Sequence, residues 1–462
     1  MHFPKNWSQL LEKYNREETL ILISPYPRKK ELYSIETSGL ASYTKNLALN
    51  INGKVVVLAE YEDVPEIYQE RNVLVIKCYK KNTLALWNDV VSFLKYFTNC
   101  KDIIIQHDFS VYGGVMVSSL IVPFLLGVKL KRYRIILTLH HVVTDVFRLK
   151  GHIGLRDDVS GLIKGFIFNL LLKFFYLFIG LLSDKVIVLE EILKKRLTKV
   201  IDIKKVEVIP HGIDENVVKV SKKRARKKLK MKSEEIVIMF FGFINWFKGA
   251  DLFVDFFHKT VKIGGKNVHF VLAGGKSPTL RHQKYYQKYY SNIEKKIRSS
   301  KNMNITGLIK ENELSTYFCA SDLVILPYRY FMTSSGVLSL VFSYNKPFLI
   351  SSNISYMLEY RDLALALKKS NLRFEDLIFK NTKKNALTSL RSFIQKDKMK
   401  KAVLMTKLIS KKRSYDLIGS MYKSSVAQIK NCEILKFENN FQFIKYILNS
   451  VISVLTIIYL IV

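Results

Sequence analysis

The sequence predicts an α/β protein with two domains, each built around a parallel sheet that is covered by helices on both faces. Short apolar runs rich in β-branched residues recur along the chain, and the stretches between them are long enough for crossover helices. This alternation stops at a basic run, residues 222–232, and then starts again. With 462 residues, 48% of them hydrophobic, the chain can form two or three domains that each bury a core.

Seven apolar runs predict the strands of the first domain, which we expect over residues 1–218. The runs are residues 20–24, 55–58, 73–76, 103–106, 135–139, 185–189 and the start of 206–214 (VEVIPHGID). Parallel strands that alternate with helices form the doubly wound architecture.

Five further runs predict the sheet of a second domain, which we expect over residues 219–410. They are residues 236–241, 268–273, 303–305, 323–326 and 347–351. A helical stretch, Tyr415–Lys430, follows the last strand and lies in a segment that we expect over residues 411–440.

Two apolar segments predict contact with a membrane. Residues 446–462 contain no charged residue, and 17 residues are the lower limit for a helix that crosses a bilayer. We therefore expect residues 441–462 to form a hydrophobic tail, the alternative being a buried helix. Residues 161–182 carry charge only at Lys164 and Lys173, and they form either a core helix or a helix that lies in the membrane surface.

The charge balance limits the partners. The chain has 74 Lys and Arg against 39 Asp and Glu, a net charge of +35, which attracts nucleic acid, anionic lipid or diphosphates. No nucleic-acid recognition motif accompanies this charge, so we expect no nucleic-acid partner. The basic run 222–232 is either a solvated helix face or a contact with anionic lipid.

The four cysteines of the chain are far apart in sequence, so no zinc site is expected. The N-terminus is polar, which predicts that the body of the protein is cytoplasmic.

Ligands of open α/β sheets bind at the carboxyl ends of the strands, so the loops that follow the strands are candidate sites. Gly39 follows the first strand at the start of a helix, where backbone amides favour an anion, although a plain turn explains it equally well. His140 ends another strand in LTLHHV, and a purely structural histidine is the alternative.

Two loops of the second domain favour a diphosphate. In residues 240–253, Gly242 ends a strand and Lys248 stands beside a helix N-terminus, which combines a point charge with amide donors. A plain surface lysine is the alternative. In residues 326–351, the small residues Ser334–Val337 lie between a strand and a helix and expose backbone N–H groups.

Taken in order, the segments QHDFSVYGG, TLHHV, VEVIPHGID, FFGFINWFKGAD, VLAGG, ITGLIKENEL and SSGVLSLVFSYNKPFLIS resemble the family 4 glycosyltransferases, which are retaining enzymes with the two-domain GT-B fold. The resemblance covers residues 20–430. It points to a branch with a Ser-Gly-Val loop where many relatives carry two glutamates.

The resemblance implies roles for individual residues. Lys248 would neutralise the donor's diphosphate, and His140 would lie at a hydroxyl of the sugar or the acceptor. The residues implied in donor binding are Gly39, Gly242, Asn245, Gly307, Ile309, Ser334, Ser335, Gly336 and Val337. The helix Tyr415–Lys430 would cross back onto the first domain.

The resemblance also implies a reaction. A hexose-type sugar would move from a UDP- or GDP-sugar to an acceptor with retention of configuration, without a metal or cofactor. The apolar tail and the basic charge, and not the resemblance, point to a lipid-linked glycan or glycolipid as that acceptor. The basic charge and the apolar tail place the acceptor and the protein at the anionic cytoplasmic face of the cell membrane. Asn245 stands where many relatives have arginine, and this favours an alternative, a nucleotide-sugar-binding pseudoenzyme that scaffolds another transferase. An epimerase of the same fold is a further alternative.

Overall fold

The computed structural model describes residues 3–29, 31–32, 39–331 and 335–431. These residues form two sheets, which are separated in sequence by residues 209–235. The predicted tail 441–462, and the part of the segment 411–440 that follows Asn431, lie outside the described residues.

The first sheet has eight strands in the order β3-β4-β2-β1-β5-β6-β7-β8, and its pairs are parallel except β3 with β4. The strands are β1 Leu20–Ile23, β2 Val55–Tyr61, β3 Glu66–Glu70, β4 Val73–Lys80, β5 Asp102–His107, β6 Arg134–Leu139, β7 Lys185–Val188 and β8 Val206–Val208. Its helices are α1 Trp7–Tyr14, α2 Gly39–Asn50, α3 Leu86–Leu94, α4 Val115–Ser119, α5 Ile121–Leu130, α6 Lys150–Ile153, α7 Val159–Leu182 and α8 Glu191–Leu197.

The second sheet has the order β10-β11-β9-β13-β14-β15, with β12 also paired to β11. The strands are β9 Ile236–Phe241, β10 Lys262–Ile263, β11 Lys266–Ala273, β12 Met303–Ile305, β13 Leu323–Leu326, β14 Phe348–Ser351 and β15 Ile378–Phe379. The remaining helices are α9 Lys222–Lys228, α10 Ala250–Phe257, α11 Lys284–Arg298, α12 Glu311–Ala320, α13 Gly336–Ser343, α14 Arg361–Ser370, α15 Lys383–Phe393, α16 Lys396–Lys412 and α17 Tyr415–Asn431.

All twelve predicted strands are confirmed, and three strands were missed. The missed β3, with the sequence EIYQE, lies at the edge of its sheet, and only its central tyrosine is buried. It therefore lacks the continuous apolar run of a central strand. The other two, β10 and β15, are two residues long and carry no readable pattern.

The basic run is partly structural. Arg226 of α9 is 3% exposed, and its guanidinium donates to the Asp322 carboxylate at 2.6 Å and to the Ala320 carbonyl at 3.2 Å. Lys222 pairs with the same carboxylate. These contacts fasten α9 to the end of α12, so two of the basic side chains are used inside the second domain.

The C-terminal helix α17 packs on α2 of the first sheet. The Tyr422 hydroxyl lies 3.0 Å from that of Tyr43 and 3.1 Å from that of Thr138. Gly419 passes so close to α2 that a Cβ there would lie 2.3 Å from the Asn50 carbonyl oxygen. The chain thus returns to the first sheet after completing the second.

Candidate active site

A cavity of about 360 Å³ lies between the two sheets. On one side it is lined by Gly39 and Tyr43 of α2, and on the other by the loop after β9 and the start of α13. Both walls belong to segments that follow the carboxyl ends of parallel strands, where open α/β sheets bind ligands.

Lys248 supplies the positive charge of the cavity. Its ammonium group forms no ion pair or hydrogen bond with any residue that the structure describes, and its Nζ lies 6.0 Å from the centre of the Phe247 ring. Burial lowers its pKa to about 8, because removal from water disfavours the charged form. A partly buried ammonium without a carboxylate partner among the described residues is a strong attractor for an anion from solution.

Gly242 allows the ammonium group to come this close to the backbone. Its φ is +115°, in the region that favours glycine, and a Cβ there would lie 3.1 Å from Lys248 Nζ and 3.2 Å from Val337 Cγ2. The glycine therefore sits where the lysine and the start of α13 meet.

The N-terminus of α13 forms the opposite side of this junction. Ser335 caps the helix, because its side-chain oxygen accepts from the Leu338 N–H at 3.1 Å. Gly336 and Val337 are the first two helical residues and line the cavity, so their N–H groups have no partner within the helix. Unpaired amides and an ammonium group together form an anion site.

His211 is a cavity residue that the sequence reasoning did not select. Its Nδ1 lies 2.7 Å from the Gly212 carbonyl oxygen and 2.9 Å from the Ser339 hydroxyl. Since a carbonyl only accepts, Nδ1 carries the hydrogen and Nε2 keeps its lone pair. Burial lowers the pKa of His211 to about 4, so the ring is neutral near pH 7. The available signal was its position, in VEVIPHGID directly after β8.

The structure places His140 behind the cavity wall. It does not line the cavity, and its Nε2 lies 2.7 Å from Gln106 Oε1. Its ring meets Tyr43 edge-on, with centroids 4.9 Å apart, and Tyr43 lines the cavity. Burial, helped by the nearby His211, lowers the pKa of His140 to about 3. In this arrangement His140 contacts the cavity-lining Tyr43, and its predicted role at a hydroxyl stays a prediction.

The other predicted donor residues fall into three groups. Those that line the cavity are Gly39, Gly242, Lys248, Ile309, Ser335, Gly336 and Val337. Gly307 precedes the cavity-lining Leu308, and Asn245 is buried outside the lining with its side-chain oxygen unpaired among the described residues. Ser334 lies outside the described residues.

The cavity also has an apolar part and no cluster of metal ligands. Leu308, Ile309 and Leu314 supply apolar surface next to Glu311. Within the described parts of the chain, no group of three or more His, Cys, Asp or Glu residues could hold a metal ion. Apolar surface and an anion site in one cavity suit a ligand that carries both a flat ring and phosphates.

One family matches the second domain. Residues 235–363 match the family model described as Glycosyl transferases group 1, and this range contains Gly242, Lys248 and the start of α13. The match supports the glycosyltransferase superfamily. No curated protein sequence matches the chain.

Solved structures with the same fold cover nearly the whole chain. Sucrose-phosphate synthase from Thermosynechococcus elongatus has a TM-score of 0.62 at 13% identity, over 89% of this chain and 98% of its own. HepE from Anabaena, solved with UDP and glucose, has a TM-score of 0.60 at 11% identity, over 89% of this chain and 99% of its own. WaaG, a glycosyltransferase involved in lipopolysaccharide biosynthesis, has a TM-score of 0.57 at 12% identity, over 88% of this chain and 99% of its own. The predicted two-domain GT-B fold is therefore confirmed.

Proposed function

We propose that this protein is a glycosyltransferase that moves a hexose-type sugar from a nucleoside diphosphate sugar to an acceptor. The observation that carries the proposal is the Lys248 ammonium, which has no ion-pair or hydrogen-bond partner in the described part of the chain, beside the amide groups that open α13 in a cavity between two domains. The diphosphate of a sugar nucleotide is an anion that matches the charge and the amide donors of this site. The family match over residues 235–363 supports the same reaction class.

The residues act on the leaving group. As the bond from the anomeric carbon to the diphosphate breaks, negative charge grows on the phosphate oxygens. Lys248 and the Gly336 and Val337 amides are held by the fold before the reaction and stabilise that charge as it develops. We propose retention of configuration, with the leaving phosphate taking the acceptor's proton, so that no protein base is required. NMR of the product's anomeric proton tests this, because an inverted product would contradict it.

The donor that we propose is UDP-linked, with a GDP-sugar as the alternative. HepE was solved with UDP and with UDP-glucose, and its fold is shared by this chain. The apolar surface of Leu308 and Ile309 suits the face of a nucleobase. Neither feature selects the sugar.

Calorimetry of the purified protein with UDP-, GDP-, ADP- and dTDP-sugars tests the donor site. We expect heat of binding with one base, and the same nucleotide should raise the unfolding temperature, because a ligand of the folded state stabilises it. Absence of binding for every donor by folded protein would contradict the proposal.

We propose a membrane-bound acceptor, a lipid-linked glycan or glycolipid, at the cytoplasmic face of the cell membrane. The support is the net charge of +35 and the uncharged segment 446–462. Deletion of residues 441–462 is expected to shift protein from the membrane to the soluble fraction. Unchanged sedimentation with membranes would contradict an anchoring role for this segment.

The alternative is a pseudoenzyme that binds the donor and scaffolds another transferase. Asn245 favours it, because a neutral side chain stands where the resemblance leads one to expect an arginine. An assay for released nucleoside diphosphate distinguishes the transferase from the pseudoenzyme. A pseudoenzyme would bind the donor without cleaving it, so no nucleoside diphosphate would be released.

A further inference from the structure

Helix α7 presents a continuous apolar stripe to solvent. Eight of its large apolar side chains are 38–71% exposed. They are Val159, Leu162, Ile163, Phe166, Leu170, Phe174, Leu177 and Leu181, and we call them the α7 apolar face. At 3.6 residues per turn, all but Leu162 fall within an arc of about 80°. The stripe runs the length of a 24-residue helix, about 36 Å.

The inner side of the same helix holds it in the first domain. Tyr176, Ile179 and Leu182 are buried in the main core. The Tyr176 hydroxyl accepts from the Val143 N–H at 2.9 Å, and Asn169 Oδ1 accepts from the Val146 N–H at 2.8 Å. Because these contacts fasten one side of α7 to the domain, the helix cannot also cross a bilayer, although its length and composition would allow it.

The charged residues near the α7 apolar face indicate which kind of partner binds to it. Both lysines of α7 are exposed, and the helix contains no acidic residue. Around the helix, Lys173 lies about 20° beyond one edge of the arc, next to Leu162, and Lys164 lies about 80° beyond the other edge. Lysines at the edge of an apolar stripe can reach phosphate headgroups while the stripe enters the acyl region. A second copy of the chain would instead bring four lysines together across a symmetric contact, between molecules that each carry +35.

We propose that the α7 apolar face inserts into the surface of an anionic phospholipid bilayer. The inner side of α7 packs through Phe168 and Leu172 against a cluster that contains Phe247, the residue before Lys248. The bilayer would therefore lie about one helix diameter from the loop that carries the proposed donor site. The inference deepens the proposed function and rests on it for the acceptor, which would reach the cavity from this surface.

Depth-dependent fluorescence tests the inserted face in the full chain. Phe166→Trp places a reporter on the face, and Val218→Trp is the matched control, because Val218 is 76% exposed and lies outside α7. Both are mixed with vesicles of equal phosphatidylcholine and phosphatidylglycerol that carry brominated acyl chains. We expect quenching of Phe166→Trp at least about twofold above the parent protein, and no gain for Val218→Trp. Phosphatidylcholine vesicles alone should quench Phe166→Trp less.

Three results would overturn the proposal. The first is vesicle-bound Phe166→Trp protein that is quenched no more than the parent, which would leave another segment as the membrane contact. The second is equal quenching without phosphatidylglycerol, which would remove the anionic lipid. The third is a lipid-free, concentration-dependent dimer that shifts the emission of Phe166→Trp, which would assign the face to a second copy. Calorimetry with nucleotide sugars needs no vesicles, so a failure of the donor site is seen separately.

Discussion

Lys248 combines a charge with a position in which that charge has no ion-pair or hydrogen-bond partner among the described residues. Its ammonium group lies beside Gly242 and Val337, and burial has already lowered its pKa to about 8. His211 differs, because its burial leaves a neutral ring whose Nδ1 is held by Gly212 and Ser339. The cavity therefore has one group suited to an anion and one suited to a hydroxyl.

Replacing Lys248 tests the first role. We expect Lys248→Ala to lower kcat by roughly 100-fold or more, since loss of one preorganised donor to a developing negative charge costs about 2.7–4 kcal/mol. Steady-state sugar transfer measures this, and Lys288→Ala, an exposed lysine of the same domain, is the control. Near-normal transfer by a well-folded Lys248→Ala protein would remove this role.

Donor affinity should depend on pH through the same lysine. With a pKa of about 8, Lys248 is mainly protonated at pH 7 and mainly neutral at pH 9, so the free site loses its charge as the pH rises. We expect the donor Kd to increase about tenfold between these values. Calorimetry at both values checks this. The Lys248→Ala protein should lose the dependence, and an equal slope in both proteins would assign it to another group.

The elements bring these side chains together through two strand-to-helix turns. The loop after β9 turns at Gly242 and leads through Lys248 to α10, while α13 begins at Gly336 with its N-terminus in the same cavity. Gly249 is the N-cap residue of α10 and has a φ of +71°. A Cβ at this position would lie only 2.0 Å from the Pro327 carbonyl oxygen. The glycines at these two turns let backbone segments approach closely, and this places Lys248 beside the N-terminus of α13.

A side chain at Gly242 should disturb both the fold and the site. We expect Gly242→Ala to lower the free energy of unfolding by about 1–3 kcal/mol, because alanine disfavours a φ of +115°. Its Cβ would also crowd Lys248, so donor affinity should fall. Urea unfolding and calorimetry measure the two effects.

Gly127→Ala is the control for that substitution. It lies in α5 with open space around the added carbon, and we expect it to raise the free energy of unfolding by about 0.5–1 kcal/mol. If Gly242→Ala were as stable as this control, the strain assigned to the turn would be contradicted.

The molecule as a whole is joined by two passages of the chain between its sheets. The Ile213 N–H donates to the Arg413 carbonyl at 2.7 Å, and the two passages form a bridge between Ile213 and Ser414. Arg413 is 3% exposed, donates twice to the Asp362 carboxylate and stacks over Tyr360. One buried ion pair thus supports the point where the chain returns to the first sheet.

Breaking the Arg413–Asp362 ion pair should lower the free energy of unfolding far more than breaking an ion pair at the surface. Asp362→Asn removes the carboxylate to which the buried Arg413 guanidinium donates, and we expect a loss of about 3–5 kcal/mol in the free energy of unfolding. Urea unfolding measures it. For Asp397→Asn, which removes an exposed pair with Lys401, we expect a change within about 0.5 kcal/mol. Similar losses in both proteins would show that Arg413 does not depend on Asp362.

The strands and the turns of the candidate site could be predicted because they depend on neighbouring residues. A run such as IVIMFF predicts β9 by its own composition, and Lys248 beside a helix start predicts an anion site from residues 240–253 alone. The half-exposed β3 could not be found this way, since its pattern reflects one buried face at a sheet edge.

What only the tertiary structure decided is which side chains face the cavity and which face solvent. Tyr43, His211 and Gly336 are far apart in sequence and line one cavity, while His140, which directly follows β6, does not line it and packs against Tyr43. In α7, a nearly uniform apolar sequence divides into a buried side and an exposed stripe. Composition sets how strongly a residue avoids water, but its burial depends on distant segments that pack against it, and no local pattern contains them.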